Sequence, residues 1–261
     1  MKFARFRYGR KESYGVVESS SVRKIRGNIF GRYALDSEVY PLDTVKLLPP
    51  CAPNKVLAVG RNYKSHLGGR PDPEYPGIFL KLPTCIIGHE DPIVLPKDAG
   101  KVDHEGELVV VVGKEGKKIP KSRALDYVFG YTCGNDVSAR EWQDNDLQWW
   151  RAKASDTFGP IGPFIATELD PRKLDLELRV NGEIRQKSNT SQLIFDVASI
   201  VSFVSTVVTL EPGDLIFTGT PGTTSPIKRG DVIEVEISGI GVLRNTVVEE
   251  GDQAKRSRKR S

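Results

Sequence analysis

The stretch VDHEGELVVVVG, residues 102–113, constrains the fold strongly because it joins an apolar run to two closely spaced carboxylates. Its second half, Leu108 to Val112, is apolar and rich in β-branched residues, which predicts a buried strand. Glu105 and Glu107 stand at the entrance to that strand. Burying an unpaired carboxylate is costly, so the fold must supply a positive partner for this pair.

Alternation along the predicted strand places both glutamates on one face. Residues i and i+2 of a strand point the same way, with Cα atoms about 6.5 Å apart. Such close carboxylates raise each other's pKa unless a cation neutralises them, and Mg²⁺ or Mn²⁺ prefers these oxygen ligands. Asp136, in GYTCGNDVSAR, is the candidate third ligand because it follows a predicted strand in a turn of small residues. The Glu-x-Glu pattern is also typical of edge-strand protection or of two salt bridges, and the residues alone leave these interpretations open.

The spacing of apolar residues and turns predicts an α+β chain that is predominantly β. Residues 1–50 are short strand-like pieces that end in the Pro-rich VKLLPPCAP, which predicts a small N-terminal β-domain. A main domain follows over residues 51–248, and 261 residues suffice for both. Residues 249–261 are interpreted as a basic, disordered tail.

Several local signals place individual elements in the main domain. The pair Asn181-Gly182 between alternating segments predicts a β-hairpin. FDVASIVSFVSTVVTL has apolar residues at helical spacing, with Asp196 as the expected N-cap. A short helix capped near Ser122 is predicted within IPKSRALDYVFGY. SAREWQDNDLQWWRAK has the composition of a helix whose tryptophans pack on one side.

The charge distribution argues against a nucleic-acid-binding protein. The formal net charge is +4, but the last seven residues hold five of the 38 basic residues and no acid. The rest of the chain is therefore close to neutral and has no basic stripe with interleaved aromatic residues. A tail of this kind can bind nucleic acid, although a solvated chain end is the simpler interpretation.

Neither a membrane span nor a disulfide framework is expected. No apolar run is long enough to cross a bilayer and the N-terminal MKFARFRYGRKES has no apolar signal core, so we expect a cytoplasmic protein. Three widely spaced cysteines favour reduced thiols, and the absence of a Cys-x-x-Cys pair argues against a thiolate metal site.

Seven segments, in order and at matching spacing, resemble the fumarylacetoacetate hydrolase family. They are VLAVGRNYKSH, VDHEGELVVVVG, DYVFGYTCGNDVSAREWQ, RAKASDTFGPIGPF, RVNGEIRQ, LEPGDLIFTGTP and GDVIEVEISGIGVLRN. The resemblance covers about residues 51–248, and residues 1–50 are similar to the small β-domain of many bacterial and archaeal members. It implies a mixed β-sandwich roll, a homodimer, and Mg²⁺ or Mn²⁺ held by Glu105, Glu107 and Asp136.

The resemblance also implies substrates and further site residues. The family acts on small 2-oxo acids, their enols and β-diketo acids, with the ion as a Lewis acid that stabilises the enolate. By position, Lys153 and His66 correspond to catalytic groups. Residues that correspond to substrate-binding groups are Arg61, Tyr63, Arg140, Gln143 and Thr220. Each of these residues, taken alone, is equally consistent with a surface or loop position.

One departure from the family pattern bears on the reaction. In members that hydrolyse acylpyruvates, the histidine of this loop is followed three residues later by a glutamate, and the pair activates water. Here His66 is followed at that spacing by Gly69, and only Glu74, further along, offers a substitute carboxylate. The loop is also short and rich in Gly and Pro, which disfavours a helix.

This departure favours chemistry that needs an enolate but no activated water. We expect a 2-hydroxyhepta-2,4-diene-1,7-dioate isomerase or decarboxylase type of enzyme, as found in aromatic catabolism. The alternatives are an acylpyruvate C–C hydrolase, acting on fumarylpyruvate- or fumarylacetoacetate-like compounds, and an oxaloacetate decarboxylase or tautomerase. A ligand-binding protein that keeps the metal fold without catalysis is the non-enzymatic alternative.

Overall fold

Strands are more abundant than helices in the computed structural model, which describes residues 1–252. In chain order the strands are β1 (Lys2–Tyr8), β2 (Lys11–Glu18), β3 (Ser21–Gly27), β4 (Tyr33–Pro41), β5 (Lys46–Leu47), β6 (Val56–Gly60), β7 (Gly77–Lys81), β8 (Ile86–Ile87), β9 (Ile93–Leu95), β10 (Val102–Asp103), β11 (Gly106–Val112), β12 (Val128–Asn135), β13 (Ser138–Ala139), β14 (Gly159–Ala166), β15 (Asp175–Val180), β16 (Glu183–Asn189), β17 (Leu215–Phe217), β18 (Val232–Ile237) and β19 (Gly241–Glu249). The α-helices are α1 (Arg140–Asn145), α2 (Trp150–Ala154) and α3 (Val197–Ser205). Short 3-10 helices cover Leu42–Thr44, Lys64–His66, Pro83–Cys85, Lys121–Tyr127 and Thr190–Gln192. The predicted α+β, predominantly β fold class is confirmed.

The predicted buried strand lies inside the larger of two main sheets. This sheet has the order β4-β3-β2-β1-β14-β12-β11-β17-β6-β7, with β5 paired to β1 and β8 to β14. Strand β11 is antiparallel to both of its neighbours, β12 and β17, and each of its seven residues is buried. The sequence prediction of a buried strand at this position is therefore confirmed.

Strand β11 separates two apolar layers. Leu108, Val110 and Val112 belong to a core that also includes residues of α3 and of the second sheet, whose order is β16-β15-β18-β19-β9. Val109 and Val111 point to the opposite side and pack in a second apolar cluster with residues of the N-terminal strands. Because successive side chains of a strand alternate in direction, an unbroken apolar run is what a strand between two such layers requires.

The first four strands form an antiparallel meander that continues the large sheet. Strand β1 pairs with β14 through Lys2 opposite Ala166 and Phe3 opposite Ile165. Phe3, Val16 and Ile25 belong to the same apolar cluster as Val109 and Val111. Residues 1–50 and the main body therefore share one sheet and one part of the core.

Two local predictions are confirmed by the backbone. Asn181 and Gly182 join β15 to β16 with φ values of 54° and 82°, as a type I′ turn requires. Helix α3 begins after Asp196, whose Oδ1 accepts a hydrogen bond from the Ser199 backbone N–H at 2.7 Å. That bond satisfies one of the free N–H groups at the start of the helix.

Two predicted helices differ from the structure. Residues 121–127 form a 3-10 helix that follows Pro120, and no side chain caps it, so the expected cap near Ser122 is wrong. The tryptophan-rich segment forms two short helices, α1 and α2, because Asn145 and Asp146 are turn-forming residues that interrupt it. Its tryptophans do not share one buried side, since Trp150 is 63% exposed.

The three cysteines are free and buried, as the reduced-thiol prediction requires. Among residues 1–252, no helix is both long enough and apolar enough to span a membrane. The predicted basic tail lies outside the described residues from residue 253 onwards.

Candidate active site

The three predicted metal ligands are brought together by β11 and the end of β12. Asp136 directly follows β12, and its backbone N–H donates to the carbonyl of Glu105 at 2.8 Å. One carboxylate oxygen from each of Glu105, Glu107 and Asp136 lies within 4.8 Å of the others. Their exposed fractions are 4%, 1% and 1%. Strand alternation thus places the two glutamates on one side, and the turn after β12 adds the third carboxylate.

Lys153, predicted to be an active-site residue, contacts two of these carboxylates from α2. Its Nζ donates to Glu105 Oε2 at 2.8 Å, to Asp136 Oδ2 at 2.7 Å and to Ser138 Oγ at 2.6 Å. The side chain is almost fully buried. The three acceptors use all three N–H groups of the ammonium, so its orientation is fixed.

A second buried lysine was not found by sequence reasoning. Lys81 ends β7, and its Nζ donates to Asp136 Oδ1 at 2.6 Å and to the backbone carbonyl of Lys153. Its side chain is fully buried. The only signal in the sequence is a lysine at the end of the apolar strand GIFLK, because the partners of Lys81 are distant in the chain. Asp136 is therefore held by two ammonium groups.

Arg140 and Gln143 were predicted to lie near the substrate, and they occupy one network at the edge of the carboxylate cluster. Arg140 donates from Nη2 to Glu105 Oε1 at 2.6 Å and from Nη1 to Gln143 Oε1 at 2.8 Å. It also donates to Asp103 Oδ2 at 2.9 Å and to Thr224 Oγ1 at 2.8 Å. No role was predicted for Asp103, although it lies in VDHEGELVVVVG, or for Thr224, which lies outside the seven segments.

The carboxylates of the cluster differ in how far neighbouring cations neutralise them. Burial alone would raise the pKa of Glu105, but the positive charges of Lys153 and Arg140 outweigh it and lower the pKa to about 2. Burial raises the pKa of Glu107 well above its ordinary value, and the negative charges of Asp136 and Glu105 add to that effect. Burial opposes the charged form of Lys153, but those same two carboxylates raise its pKa. The lysine is therefore a fixed positive charge.

Glu107 is the carboxylate that lacks a positive partner. It accepts a hydrogen bond from the Gly219 backbone N–H at 2.7 Å, and no Lys or Arg nitrogen within residues 1–252 lies within 4 Å of it. A buried carboxylate without a counter-charge is unfavourable, and two more carboxylate oxygens converge on it. This oxygen-only donor set fits a hard divalent cation such as Mg²⁺ or Mn²⁺.

The carboxylates open into a chamber of about 350 Å³. Six of the seven residues predicted to be catalytic or substrate-binding line it, namely Arg61, His66, Arg140, Gln143, Lys153 and Thr220. Six other residues of its wall were not predicted from the sequence: Val59, Gly60, Arg70, Phe79, Asp144 and Trp149. Phe79 and Trp149 meet edge to face with ring centroids 5.5 Å apart.

Tyr63, the seventh predicted residue, lies behind the wall of the chamber. Its side chain is completely buried, and its hydroxyl has no hydrogen-bond partner within the described residues. Burial raises the pKa of Tyr63, and the negative charge of Glu107 acts in the same direction. The structure thus places Tyr63 close enough to Glu107 to feel its charge but does not expose it to the chamber.

Thr220 is held by contacts that fix the chamber's inner surface. Its hydroxyl donates to the carbonyl of Gly106 at 2.9 Å and accepts from Gln186 Nε2 at 2.8 Å. Gln186 Oε1 in turn accepts from the Gly106 backbone N–H at 2.9 Å. Gln186 lies on β16 and ends the segment RVNGEIRQ, but no role was predicted for it; it ties the predicted substrate contact to the strand that carries Glu107.

The loop after β6 carries His66 but brings no carboxylate to it. His66 Nδ1 lies 2.6 Å from the carbonyl oxygen of Gly222. Glu74, considered as a substitute for the missing glutamate, lines a neighbouring cavity of about 580 Å³ instead. The two cavities share Arg61, Phe79 and Trp149. The group that contacts the His66 ring is therefore the Gly222 backbone carbonyl and not the Glu74 carboxylate.

Comparison with known protein families agrees with this geometry. The family model described as "Fumarylacetoacetate (FAA) hydrolase C-terminal" matches residues 55–248. The chain belongs to the fumarylacetoacetate hydrolase family. A second model, described as "Rv2993c-like, N-terminal", matches residues 1–50. The resemblance inferred from the seven sequence segments is therefore confirmed.

Similar curated proteins include one named for keto–enol chemistry. Protein Rv2993c of Mycobacterium tuberculosis is 46% identical, over 91% of this chain and 91% of the relative. The mitochondrial oxaloacetate tautomerase FAHD2A of Bos taurus is 43% identical, over 80% of this chain and 72% of the relative. The second name refers to the interconversion of a 2-oxo acid and its enol.

Solved structures with the same fold include isomerases and a hydrolase. The 2-hydroxyhepta-2,4-diene-1,7-dioate isomerase of Mycobacterium marinum is 42% identical with a TM-score of 0.91, covering 97% of this chain and 100% of its own. The 5-carboxymethyl-2-hydroxymuconate delta-isomerase of Mycobacterium smegmatis is 44% identical with a TM-score of 0.91, covering 96% and 100%. The maleylpyruvate hydrolase of Sphingobium sp. SYK-6, in complex with manganese(II) and pyruvate, is 32% identical with a TM-score of 0.81, covering 95% and 99%.

Proposed function

We propose that this protein is a divalent-metal-dependent enzyme that acts on small 2-oxo acids and their enols. The observation that carries the proposal is the convergence of three buried carboxylates, one of which, Glu107, has no cationic partner within the described residues. Glu105, Glu107 and Asp136 would hold Mg²⁺ or Mn²⁺. When bound, such an ion supplies positive charge that stabilises the enolate form of a 2-oxo acid.

The residues around the carboxylates suit an anionic substrate. Lys153 and Arg140 are already engaged with carboxylates of the site, whereas Arg61 and Arg70 form no ion pair within residues 1–252. Both of these arginines are exposed and line the chamber, so they lie at its mouth. They would bind the carboxylates of an incoming acid, and the inner cations would keep the carboxylate cluster in place.

Lys153, His66 and the two aromatic residues would have different roles in the reaction. Lys153 donates its three N–H groups to Glu105, Asp136 and Ser138. It would therefore act as a fixed positive charge that orients the carboxylates of Glu105 and Asp136. His66 lines the chamber and can accept and return a proton. Phe79 and Trp149 form an aromatic wall between the chamber and the neighbouring cavity, which limits access of water from that side.

Within this class we propose isomerisation or decarboxylation of a 2-hydroxyhepta-2,4-diene-1,7-dioate type of substrate. Two supports are the fold match to isomerases and the absence of a carboxylate beside His66 among the described residues. Tautomerisation of oxaloacetate is the second candidate, favoured by the relative that bears that name. Hydrolysis of an acylpyruvate is less well supported, because no carboxylate within residues 1–252 pairs with His66 to activate water.

A substrate panel tests the proposal. Turnover of an acylpyruvate, oxaloacetate and 2-hydroxyhepta-2,4-diene-1,7-dioate is measured with Mg²⁺ or Mn²⁺ and again after chelation. We expect metal-dependent turnover of the dienoate, lost in Glu105→Gln and Asp136→Asn and kept in Glu115→Gln, which changes an exposed glutamate. Turnover that survives chelation contradicts metal dependence, and cleavage of the acylpyruvate alone contradicts the assignment of reaction.

A metal-binding measurement separates the enzymatic from the non-enzymatic alternative. Titration of the metal-free protein with Mn²⁺, followed by calorimetry or electron paramagnetic resonance, should show one site that Glu107→Gln weakens at least about 100-fold. The Glu115→Gln protein should bind as the parent does. Binding of the ion without turnover of any oxo acid favours a ligand-binding protein instead.

A further inference from the structure

The ring of His66 faces a group that can only accept hydrogen bonds. Its Nδ1 lies 2.6 Å from the backbone carbonyl oxygen of Gly222. A carbonyl oxygen has no proton to give, so Nδ1 must carry the hydrogen of this bond. In the neutral imidazole the other nitrogen, Nε2, is then a free lone pair. The contact thus selects one of the two tautomers.

The carbonyl of Gly222 is itself held in place. Ser65 Oγ accepts a hydrogen bond from the Gly222 backbone N–H at 3.0 Å, so consecutive residues of the His66 loop pair with both polar groups of one residue. Asn62, at the start of that loop, donates from Nδ2 to the carbonyl of Thr218 at 2.8 Å. Gly222 has a φ of 64°, in the left-handed region that glycine adopts without strain. The two loops are therefore joined at several points, which fixes the direction of the carbonyl.

The second ring nitrogen of His66 has no acid partner within residues 1–252. His66 lines the chamber, and its Nε2 has no partner within residues 1–252. Glu74 lines the neighbouring cavity, and no carboxylate of the described part of the chain lies within 4 Å of the ring nitrogens of His66. A carbonyl orients an imidazole as a carboxylate does, but it lacks the full charge that stabilises the imidazolium. The ring is thus oriented by a neutral acceptor rather than by a carboxylate.

We propose that the Gly222 carbonyl fixes His66 as the Nδ1–H tautomer and that Nε2 moves the proton at C3 of the substrate. This inference rests on the function proposed above. In the 2-oxo form of the substrate, the C3–H bond breaks and its proton goes to Nε2, while its electron pair forms the C2=C3 double bond and the π pair of the C2 carbonyl moves to oxygen, which gives the enolate of the 2-hydroxy form. The imidazolium then returns the same proton to a carbon or to the enolate oxygen. Such a transfer needs a lone pair on Nε2, which the Gly222 carbonyl provides by placing the hydrogen on Nδ1.

The tautomer can be measured without any substrate. Nitrogen NMR of the imidazole rings at about pH 8, above the ordinary His pKa, distinguishes protonated from free ring nitrogens. The chain contains an internal control, because His89 Nδ1 accepts a hydrogen bond from the Arg244 backbone N–H at 3.2 Å and must be the opposite tautomer. We expect Nδ1–H for His66 and Nε2–H for His89, with signals assigned by His66→Gln and His89→Gln. An Nε2–H form of His66 overturns the proposal.

Substitution of Ser65 tests whether its hydrogen bond with the Gly222 N–H helps to orient the His66 ring. Ser65→Ala removes the hydrogen bond that holds the Gly222 N–H, and Ser65→Thr keeps a hydroxyl at the same position. We expect Ser65→Ala to mix the two His66 tautomers and Ser65→Thr to restore the Nδ1–H form. An unchanged tautomer in Ser65→Ala contradicts the assigned role of this anchor, and folding of each variant is checked by its melting temperature.

The proton-transfer step is tested by isotope exchange at C3. In deuterated water with Mn²⁺, His66→Gln should lower the rate of exchange of the C3 proton of a 2-oxo acid about 10²–10⁴-fold, while Mn²⁺ affinity stays at the parent value. Full exchange in His66→Gln with intact metal binding overturns this inference and leaves the proposed function standing. Absence of exchange and of turnover in the parent protein, together with absence of Mn²⁺ binding, would instead remove the proposed function.

Discussion

At the scale of single residues, the site is a cluster of buried charges in which compensation is incomplete. Glu105 and Asp136 each receive hydrogen bonds from cationic side chains, whereas Glu107 receives one from a backbone N–H. The uncompensated glutamate is a cost to the metal-free fold, since a buried carboxylate beside two others is unfavourable. Stability of the metal-free protein and metal binding therefore place opposite demands on Glu107.

Replacing Glu107 by glutamine should stabilise the metal-free protein while removing its response to metal. The amide oxygen of the Glu107→Gln variant would still accept the Gly219 N–H, but the repulsion from Asp136 and Glu105 would be gone. We expect the free energy of unfolding to rise by about 1 kcal/mol without metal and not to change on addition of Mn²⁺. Thermal melts with chelator and with Mn²⁺ measure both effects. A variant less stable than the parent in chelator contradicts the charge argument, with Glu115→Gln as the control.

The three cysteine thiols should be unreactive in the native state. Burial raises the pKa of Cys51 and of Cys133 to about 12, and it also raises the pKa of Cys85. A raised pKa leaves almost no reactive thiolate near neutral pH, and burial blocks access to the reagent. A thiol-reactive dye should therefore report no reaction in buffer and all three thiols in denaturant. Rapid labelling of one native thiol would show that its segment opens locally.

Which site residues could be predicted depends on how local their signal is. Glu105 and Glu107 follow from strand alternation within three residues, and Asp136 from its turn. Lys81 and Gln186 lie on strands far away in the chain, and although Gln186 ends the segment RVNGEIRQ, neither residue has a local pattern that predicts contact with the site. Contacts between residues that are distant in the sequence depend on the fold of the whole chain, so a short sequence motif does not predict them.

At the scale of secondary-structure elements, turn and cap residues predicted the boundaries of helices and strands better than amino-acid composition did. The Asn181-Gly182 turn and the Asp196 cap were predicted because each has a specific backbone requirement. The segment from Arg140 to Ala154 has helical composition, yet it divides into α1 and α2 at the Asn145-Asp146 pair. Arg151 stabilises this break by donating to Asp146 Oδ2 at 2.5 Å.

The N-cap of α3 gives a prediction at this scale. Asp196→Ala removes the hydrogen bond to the Ser199 N–H and should lower the free energy of unfolding by about 1 kcal/mol. Asp196→Asn keeps an oxygen acceptor at the cap and should cost little. Urea denaturation of the three proteins measures the difference. Equal losses for Ala and Asn would indicate that the charge contact with Lys121 Nζ, at 3.4 Å, matters more than the cap.

At the scale of the whole molecule, the N-terminal strands and the main body depend on one another. The sequence predicts a small N-terminal β-domain over residues 1–50, but the pairing of β1 with β14 joins residues far apart in the chain and leaves no local signal. Local patterns predicted the strands themselves well. Whether the chain forms the homodimer implied by the family resemblance stays a prediction, which light scattering of the purified protein measures.

Removal of residues 1–50 should prevent stable folding of the rest. The truncated chain would expose one edge of β14 and the apolar surface of Val109, Val111 and their neighbours. We expect aggregation, or loss of the cooperative melt. The point variant Phe3→Ala, at a residue 3% exposed, should cost about 3–5 kcal/mol, whereas Leu35→Ala, at a residue 53% exposed, should cost little. A truncated protein that melts cooperatively would show that the main body folds alone.

Strand β11 has a kinetic consequence for any ion bound at its end. Because all of its residues are buried between two apolar layers, its amides should exchange with solvent only when the whole protein unfolds. Local opening of β11 would therefore not free Glu107 from such an ion. The ion would leave through the chamber mouth, so its residence time would depend on the loops that carry Arg61, Arg70 and Trp149.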